Sequence, residues 1–214
     1  MKGIFNAKPP QARYSASWDV SVVLTFLRSL SPVTDLSLKD LTVKLCMLLA
    51  LVTGQRCQTL HCLDLSCLRR GQDYVFSFNT PLKHSRSHLP PPVVTLRPFS
   101  PDNRLCVVTV LQEYIHRTST LRGDYTRLLI SYIKPHKPVT RASVSRWVKH
   151  CLVRAGIDTD VYSAHSTRMA ATSKAAFAQL PLKTVMEAAG WASAHTFKKF
   201  YYRESRTFAD AVLA

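Results

Sequence analysis

A segment near the end of the chain brings together residue types that can carry out phosphodiester chemistry. His165 and Arg168 are three residues apart, Trp191 follows in a Gly-Trp pair, and Tyr201 and Tyr202 are adjacent. Residues at positions i and i+3 share one face of a helix, so His165 and Arg168 can point into one site. A packed aromatic cluster is one explanation for this segment. The other is a tyrosine that attacks a phosphodiester bond.

Two earlier segments supply further cationic side chains, Arg56 in "TGQRCQTL" and Lys83 in "PLKHSR". Cleavage of a DNA strand without a metal ion requires a nucleophile, stabilisation of the developing negative charge, and a proton for the leaving oxygen. A guanidinium group stays charged and binds two phosphate oxygens at once. Lysine and histidine can transfer protons, and a tyrosine oxygen can form a covalent intermediate.

The order of these groups along the chain is arginine, lysine on a β ribbon, His-x-x-Arg, Gly-Trp and tyrosine. This order resembles the tyrosine recombinase family, the relatives of phage integrases, from about Trp18 to the end of the chain. The phrases "HSTR", "AAGW" and "TFKKFYYR" look closest to the DIRS-type and Crypton-type recombinases of eukaryotic mobile elements. The resemblance implies a site-specific DNA recombinase that integrates or excises a mobile element. Such an enzyme cleaves and rejoins DNA through a 3′-phosphotyrosine, as a tetramer on double-stranded DNA, with no metal or ATP as cofactor.

The resemblance also implies roles for the cationic residues. Arg56 and Arg168 would hold the scissile phosphate, and Lys83 would be the general acid. Arg86 lies close to Lys83, so a simply basic ribbon that touches DNA is the alternative for this segment. Many relatives have Glu or Asp three residues after the first arginine. Here that position is Thr59, so support for Arg56 is expected from elsewhere.

The remaining implied roles belong to the C-terminal segment. His165 would assist proton transfer, Trp191 would position the phosphate by packing and through its indole N–H, and Tyr201 would attack. Trp191 stands where many relatives have histidine. Integrase-like relatives place the tyrosine nine residues later, which here is Phe200, so Tyr201 is favoured over Tyr202 as the nucleophile.

The composition favours a nucleic-acid partner. Lys and Arg number 29 against 13 Asp and Glu, and the net charge of +16 is spread along the chain. A spread excess of this kind is typical of proteins that bind polyanions. No apolar run approaches the ~20 residues of a membrane span, and the N-terminus lacks the apolar stretch of a signal peptide. We therefore expect an intracellular, nuclear protein whose six cysteines are reduced and buried.

The pattern predicts one mainly α domain with a small antiparallel β ribbon, and the resemblance makes it the tyrosine recombinase catalytic-domain fold. Residues 1–16 are expected to form an arm or linker, residues 17–206 the catalytic domain, and residues 207–214 a tail helix that docks on a neighbouring protomer. The family usually carries an N-terminal DNA-clamping domain. The chain leaves no room for it, so an isolated catalytic domain is expected.

The sequence predicts where several helices and strands lie. A buried helix is expected to begin at a Ser37–Asp40 capping box and to end at Gly54. The runs "DYVFSF" and "PVVTL" predict the two strands of the ribbon. Further helices are expected near Trp18, within 100–118 and 138–156, and after position 164, with breaks at Pro181 and Gly190.

Other basic residues are candidate phosphate contacts, which the sequence alone cannot sort. They are Arg86, Arg141, Arg146, Lys149, Lys174 and Lys198. Two other functions stay open. One is DNA relaxation by a type IB topoisomerase, which uses a similar residue set, and the other is a catalytically decayed domain that only binds DNA. A metal site is not expected. The cysteines lack the close pairs of a zinc site, and His84 and His88, although spaced i, i+4 as on a metal-binding helix, stand in a stretch that ends in three prolines and is not expected to be helical.

Overall fold

The computed structural model of the protein describes residue 14 and residues 16–78, 92–191 and 195. The described part is mainly helical, with a small antiparallel sheet, as the sequence predicts. Its helices are α1 (Val20–Ser29), α2 (Leu38–Thr53), α3 (Cys57–His61), α4 (Val107–Thr118), α5 (Arg141–Arg154), α6 (Ser166–Phe177) and α7 (Leu182–Ala189). Short 3-10 turns occupy Val33–Asp35, Leu65–Cys67 and Asn103–Leu105.

Helix α2 is the centre of the domain. Most of its residues are buried, because it is apolar on nearly all sides and packs against α4, α5 and α6. The predicted capping box is confirmed: the Asp40 amide donates to Ser37 Oγ at 3.0 Å, and Ser37 Oγ donates to the Asp40 carboxylate at 2.7 Å. Gly54 ends the helix at φ +57°, where glycine avoids the steric cost of a side chain.

The sheet has three strands in the order β1 (Leu68–Arg70), β2 (Tyr74–Phe76) and β3 (Val94–Leu96), all antiparallel to their neighbours. The two predicted strands are confirmed as β2 and β3. Strand β1 was missed, because two of its three residues are exposed arginines and give no alternating apolar pattern. Lys83 and Arg86 lie outside the described residues, as does the connection between β2 and β3 that holds them.

The helices around the C-terminal segment follow their predicted boundaries. Thr140 caps α5, and its hydroxyl accepts from the Ser143 amide. Pro181 precedes α7, and Gly190 ends it at φ +66°. Beyond Trp191 only residue 195 is described, so Lys198, Tyr201, Tyr202 and the predicted tail helix 207–214 lie outside the described residues.

Two aromatic residues near the N-terminus fix the start of α6. The indole of Trp18 donates to Ser166 Oγ at 2.9 Å. The hydroxyl of Tyr14 lies 2.8 Å from Ser163 Oγ, and its ring packs on Tyr162 with centroids 5.6 Å apart. Tyr14 belongs to the predicted arm, yet it is buried against the domain.

The cysteines are all free, and the prediction that they are buried holds for Cys46, Cys106 and Cys151 only. The other three, Cys57, Cys62 and Cys67, are partly buried. Burial raises the pKa of the Cys151 thiol to about 12, so this thiol stays protonated and packs as a small apolar side chain. Among the described residues, no helix is both long enough and apolar enough to cross a membrane.

Candidate active site

A basic cavity of about 510 Å³ opens where the end of α2 and the start of α3 meet α5 and the start of α6. We call it the active-site cavity. Its basic lining residues are Arg56, Arg141, Arg146, His165 and Arg168. No described residue that lines it is acidic. The cavity therefore concentrates positive charge, which favours an anionic ligand.

Arg56 reaches the cavity from the turn between α2 and α3. It is the N-cap of α3, and its carbonyl oxygen accepts from the amides of Thr59 at 2.8 Å and Leu60 at 3.0 Å. The residue is half-buried. Thr59, which stands where many relatives have an acidic residue, is buried in the first turn of α3.

His165 and Arg168 both line the cavity, as their spacing predicts. His165 is the N-cap of α6 and is exposed, whereas Arg168 is in the first turn and is only 2% exposed. The two residues thus present a solvent-accessible imidazole beside a guanidinium that the fold almost encloses.

The Arg168 guanidinium is anchored by backbone carbonyls. Its Nη1 donates to the carbonyl oxygens of Gly54 and Ala189, each at 2.6 Å. Gly54 caps the C-terminus of α2, and Ala189 is the last residue of α7. Helix C-termini carry partial negative charge, so two of them compensate a buried cation here.

Trp191 contacts the same guanidinium with the face of its ring. The Arg168 Cζ lies 4.3 Å from the centre of the Trp191 ring, the arrangement of a cation–π interaction. Trp191 is 9% exposed and packs with Val185 and Ala189. Its backbone amide donates to the Met186 carbonyl at 2.8 Å. The ring of Trp191 therefore packs on Arg168, while its predicted role of positioning the phosphate, by packing and through its indole N–H, stays a prediction.

Sequence reasoning missed Gly54 and Gln55 as parts of this site. The Gln55 side chain donates to the Ala188 carbonyl at 2.8 Å and so joins the Arg56 turn to the end of α7. A Cβ atom on Gly54 would lie 3.2 Å from Thr172 Cγ2 and 3.3 Å from Ala189 Cβ. The "TG" that directly precedes "QR" was the available signal, but its meaning depends on which helices approach it.

The structure places the other predicted basic residues differently. Arg141 and Arg146 line the active-site cavity, while Lys149 is exposed on α5 and does not line it. Lys174 lies in a different cavity, beside Trp18 and Asp19. The rest of the predicted site residues, Lys83, Arg86, Lys198, Tyr201 and Tyr202, lie outside the described residues, so their roles stay predictions.

Cys57 also lines the cavity, but its chemistry is unsuited to nucleophilic attack. Burial raises the pKa of its thiol, so the nucleophilic thiolate is scarce near neutral pH. Among the described residues, no cluster of His, Cys, Asp or Glu could hold a metal ion. The described groups can bind and polarise a phosphodiester through arginine, and His165 can exchange a proton with it.

Comparison with known proteins adds a family and a fold. The model of the phage integrase family matches residues 24–207. The solved structure of XerA recombinase is similar with a TM-score of 0.66 at 13% identity, over 94% of this chain and 64% of that one. XerH site-specific recombinase, in a post-cleavage complex with its difH substrate, has a TM-score of 0.62 at 17% identity, over 85% and 48%.

A lambda integrase dimer bound to a COC′ core site is similar with a TM-score of 0.55 at 16% identity, over 90% of this chain and 49% of that one. At such identities the likeness shows the fold alone. The chain spans about half the length of XerH and lambda integrase and 64% of XerA. No curated protein matches it significantly.

Proposed function

The chain belongs to the phage integrase family, and we propose that it is a site-specific DNA recombinase that integrates or excises a mobile element. The observation that carries the proposal is the active-site cavity, in which Arg56, His165 and Arg168 meet without an acidic residue among its described lining. A site of this charge suits the pentavalent, negatively charged transition state of phosphoryl transfer.

In the proposed reaction, Arg56 and Arg168 bind the non-bridging oxygens of the scissile phosphate. Tyr201 passes its phenolic proton to His165 as its oxygen attacks phosphorus, the bond to the 5′ oxygen breaks, and a 3′-phosphotyrosine forms. Lys83 donates the proton that the leaving 5′ oxygen takes up. Attack by a 5′-hydroxyl of a second strand reverses these steps and rejoins DNA, so no external energy source is required.

The anchoring of Arg168 supports this mechanism. A guanidinium held by two carbonyls and a tryptophan ring is fixed before substrate arrives. A preorganised charge costs little reorganisation when the phosphorane-like state forms. His165, exposed at the start of α6, suits proton exchange with the phosphate or the nucleophile.

The proposal includes double-stranded DNA as substrate, assembly into a tetramer on it, and a nuclear location. The charge of +16 supports the DNA partner. Among structures with the same fold, one holds a lambda integrase tetramer bound to a Holliday junction. We assign the mobile-element role by resemblance of the segments "HSTR", "AAGW" and "TFKKFYYR" to that branch.

The decisive experiment uses nicked suicide DNA substrates that carry candidate element ends, with a chelator present and ATP absent. Wild type and Tyr202→Phe are expected to yield a covalent protein–DNA band that peptide mapping assigns to Tyr201. Tyr201→Phe is expected to bind the same DNA and form no band. A full band with Tyr201→Phe would move the nucleophile elsewhere, and DNA binding by the wild type without any band would leave a domain that only binds.

A further inference from the structure

A second basic cavity, of about 490 Å³, lies against the neighbouring face of α5. We call it the Tyr132–Trp147 cavity, after the two rings in its wall. The residues of its lining that matter here are Lys39, Tyr132, Lys137, Arg146, Trp147 and His150. Of the described residues that the sequence links to phosphodiester chemistry, Arg56, His165, Arg168 and Trp191, none lines this cavity.

The cavity carries positive charge that its own lining does not neutralise. No described lining residue is acidic, and Lys39, Lys137 and Arg146 form no ion pair with the described part of the chain. Asp40, which does not line the cavity, acts on both Lys39 and His150, but it is already paired with Arg154 and accepts from Ser37. Three cations in the lining therefore exceed the one shared acid beside it, and the net positive charge attracts an external anion.

The pKa of His150 is affected by the positive charge around this cavity. Burial lowers the pKa of its imidazole, and the charges of Lys39 and Arg154 lower it further, against the opposing effect of Asp40. A neutral imidazole near neutral pH can still donate one hydrogen bond to a phosphate oxygen. Because the imidazole of His150 is neutral, ligand binding does not require a further charge to be desolvated.

The walls of the cavity are well packed and held by hydrogen bonds. The Tyr132 and Trp147 rings pack with centroids 5.3 Å apart, and Trp147 is 8% exposed. The 131–138 loop beside them is closed by a hydrogen bond from the Ser131 amide to the Lys137 carbonyl at 2.8 Å and by a bridge between Ile130 and Pro138. A preformed wall lowers the entropy cost of binding.

Arg146 connects the two cavities, because it lines both. Arg141 and Ser145 face the active-site cavity, whereas Trp147 and His150 face the Tyr132–Trp147 cavity. The N-terminal half of α5 thus forms a ridge with a basic cavity on each side. A DNA strand carries one phosphate per ~3.4 Å of helix axis, so a strand that crosses this ridge offers a phosphate to each side.

We propose that the Tyr132–Trp147 cavity is a second DNA-backbone subsite, which binds a phosphate flanking the scissile one. This rests on the proposed function, since the scissile phosphate must occupy the active-site cavity. Lys39, Lys137 and Arg146 supply the charge, His150 supplies a donor, and the aromatic wall packs against the sugar. The subsite fixes the register of the strand and does not take part in the chemistry.

The first test measures how DNA affinity depends on salt. The double variant Lys39→Ala/Lys137→Ala removes two charges from the cavity, and Arg97→Ala/Lys183→Ala removes two exposed charges that line neither cavity. Each lost phosphate contact lowers the slope of log affinity against log salt by about 0.9. Because the cavity binds one phosphate, the first variant should lose about 0.9 from the slope, and the control should keep the wild-type slope.

The second test locates the phosphate with DNA in which one flanking phosphate at a time is a neutral methylphosphonate. When the neutral methylphosphonate replaces the phosphate that occupies the cavity, the wild type should lose affinity for the DNA. The affinity of Lys39→Ala/Lys137→Ala, already reduced, should not fall further. Additive losses at every position, or equal slopes for the two double variants, overturn the proposal. The suicide-substrate band of the wild type separates the two hypotheses: a band with additive losses removes only the subsite, and a wild type with neither band nor salt-dependent binding removes the proposed function as well.

Discussion

The Nη1 atom of Arg168 donates to the carbonyl oxygen of Ala189 at 2.6 Å, so the last residue of α7 holds a guanidinium that enters from the first turn of α6. The same nitrogen donates to the Gly54 carbonyl at the end of α2. Three helices therefore meet at one cation. The position of Arg168 depends on how closely the ends of α2 and α7 approach each other, and substitutions at those ends should affect it without touching it.

Gly54→Ala should weaken both folding and DNA cleavage. At φ +57° an alanine is strained by about 1–2 kcal/mol, and its Cβ would lie 3.2 Å from Thr172 Cγ2 and 3.3 Å from Ala189 Cβ. The Thr172 side chain and the end of α7 must give way, and a displacement of α7 moves the Ala189 carbonyl that Arg168 contacts. We expect a destabilisation of more than ~2 kcal/mol in urea unfolding and a slower yield of the covalent DNA band.

Gly123→Ala is the matched control for this strain. Gly123 has φ +52°, but a Cβ there would meet nothing within 4 Å. Its variant should lose only the backbone term of about 1–2 kcal/mol and should cleave DNA like the wild type. Equal losses in the two variants would show that contact with α7 at Gly54 contributes nothing to the site.

Gln55→Met should slow cleavage with little loss of stability. Methionine keeps the side-chain length but cannot donate to the Ala188 carbonyl, a bond that joins the Arg56 turn to α7. A hydrogen bond of this kind contributes about 0.5–1.5 kcal/mol. Rates of band formation at saturating DNA should fall by about 2- to 12-fold if that energy positions Arg56.

Gln112→Met provides the comparison for Gln55→Met. Gln112 donates to the Tyr74 hydroxyl at 2.8 Å, on α4 and away from both basic cavities. Its variant loses a similar exposed hydrogen bond and should keep the wild-type rate. A rate for Gln55→Met that matches Gln112→Met and the wild type would contradict a positioning role.

Much of the fold was accessible from the sequence because local rules decided it. The Ser37–Asp40 box and Gly54 bound α2, and the i, i+3 spacing placed His165 and Arg168 on one cavity. Strand β1 was not accessible, because its arginines carry no apolar alternation and its pairing comes from β2.

The neighbours of Arg168 were less accessible than Arg168 itself. Backbone carbonyls exist at every residue, so no sequence pattern shows that those of Gly54 and Ala189 converge on a guanidinium. The sequence also could not show that Arg146 lines the active-site cavity whereas Lys149 and Lys174 do not. Which side of a helix meets a cavity follows from how the helices pack.

Lys44 should make stability depend on pH in the alkaline range. It is fully buried on α2, where Nζ donates to the Leu30 carbonyl at 2.5 Å, and burial lowers the pKa of this amine to about 8 from an ordinary value of 10.5. Between these values the unfolded chain binds the proton more tightly, so rising pH favours the folded state. Below pH 8 both states are protonated and the effect is flat.

The expected measurement is the free energy of unfolding of wild type and Lys44→Met from pH 7 to pH 10.5. Over that range the difference should move in favour of the wild type by up to about 3 kcal/mol, at 1.36 kcal/mol per pH unit of pKa difference. Taking the difference removes the common effect of cysteines and tyrosines. Lys39→Met, exposed on the same helix, controls for the loss of one lysine, and parallel curves for wild type and Lys44→Met would contradict the prediction.

Trp191→Phe and Trp191→Leu should separate the ring of Trp191 from its indole N–H. Phenylalanine keeps an aromatic face for Arg168, whose Cζ lies 4.3 Å from the ring centre, whereas leucine keeps apolar volume alone. A desolvated cation–π contact contributes about 0.5–2 kcal/mol, so Trp191→Leu should form the covalent DNA band about 2- to 30-fold more slowly than Trp191→Phe. Circular dichroism and thermal unfolding verify that both variants fold. If both variants are slowed equally, the indole N–H rather than the ring serves the reaction, because that donor is the feature that both substitutions remove.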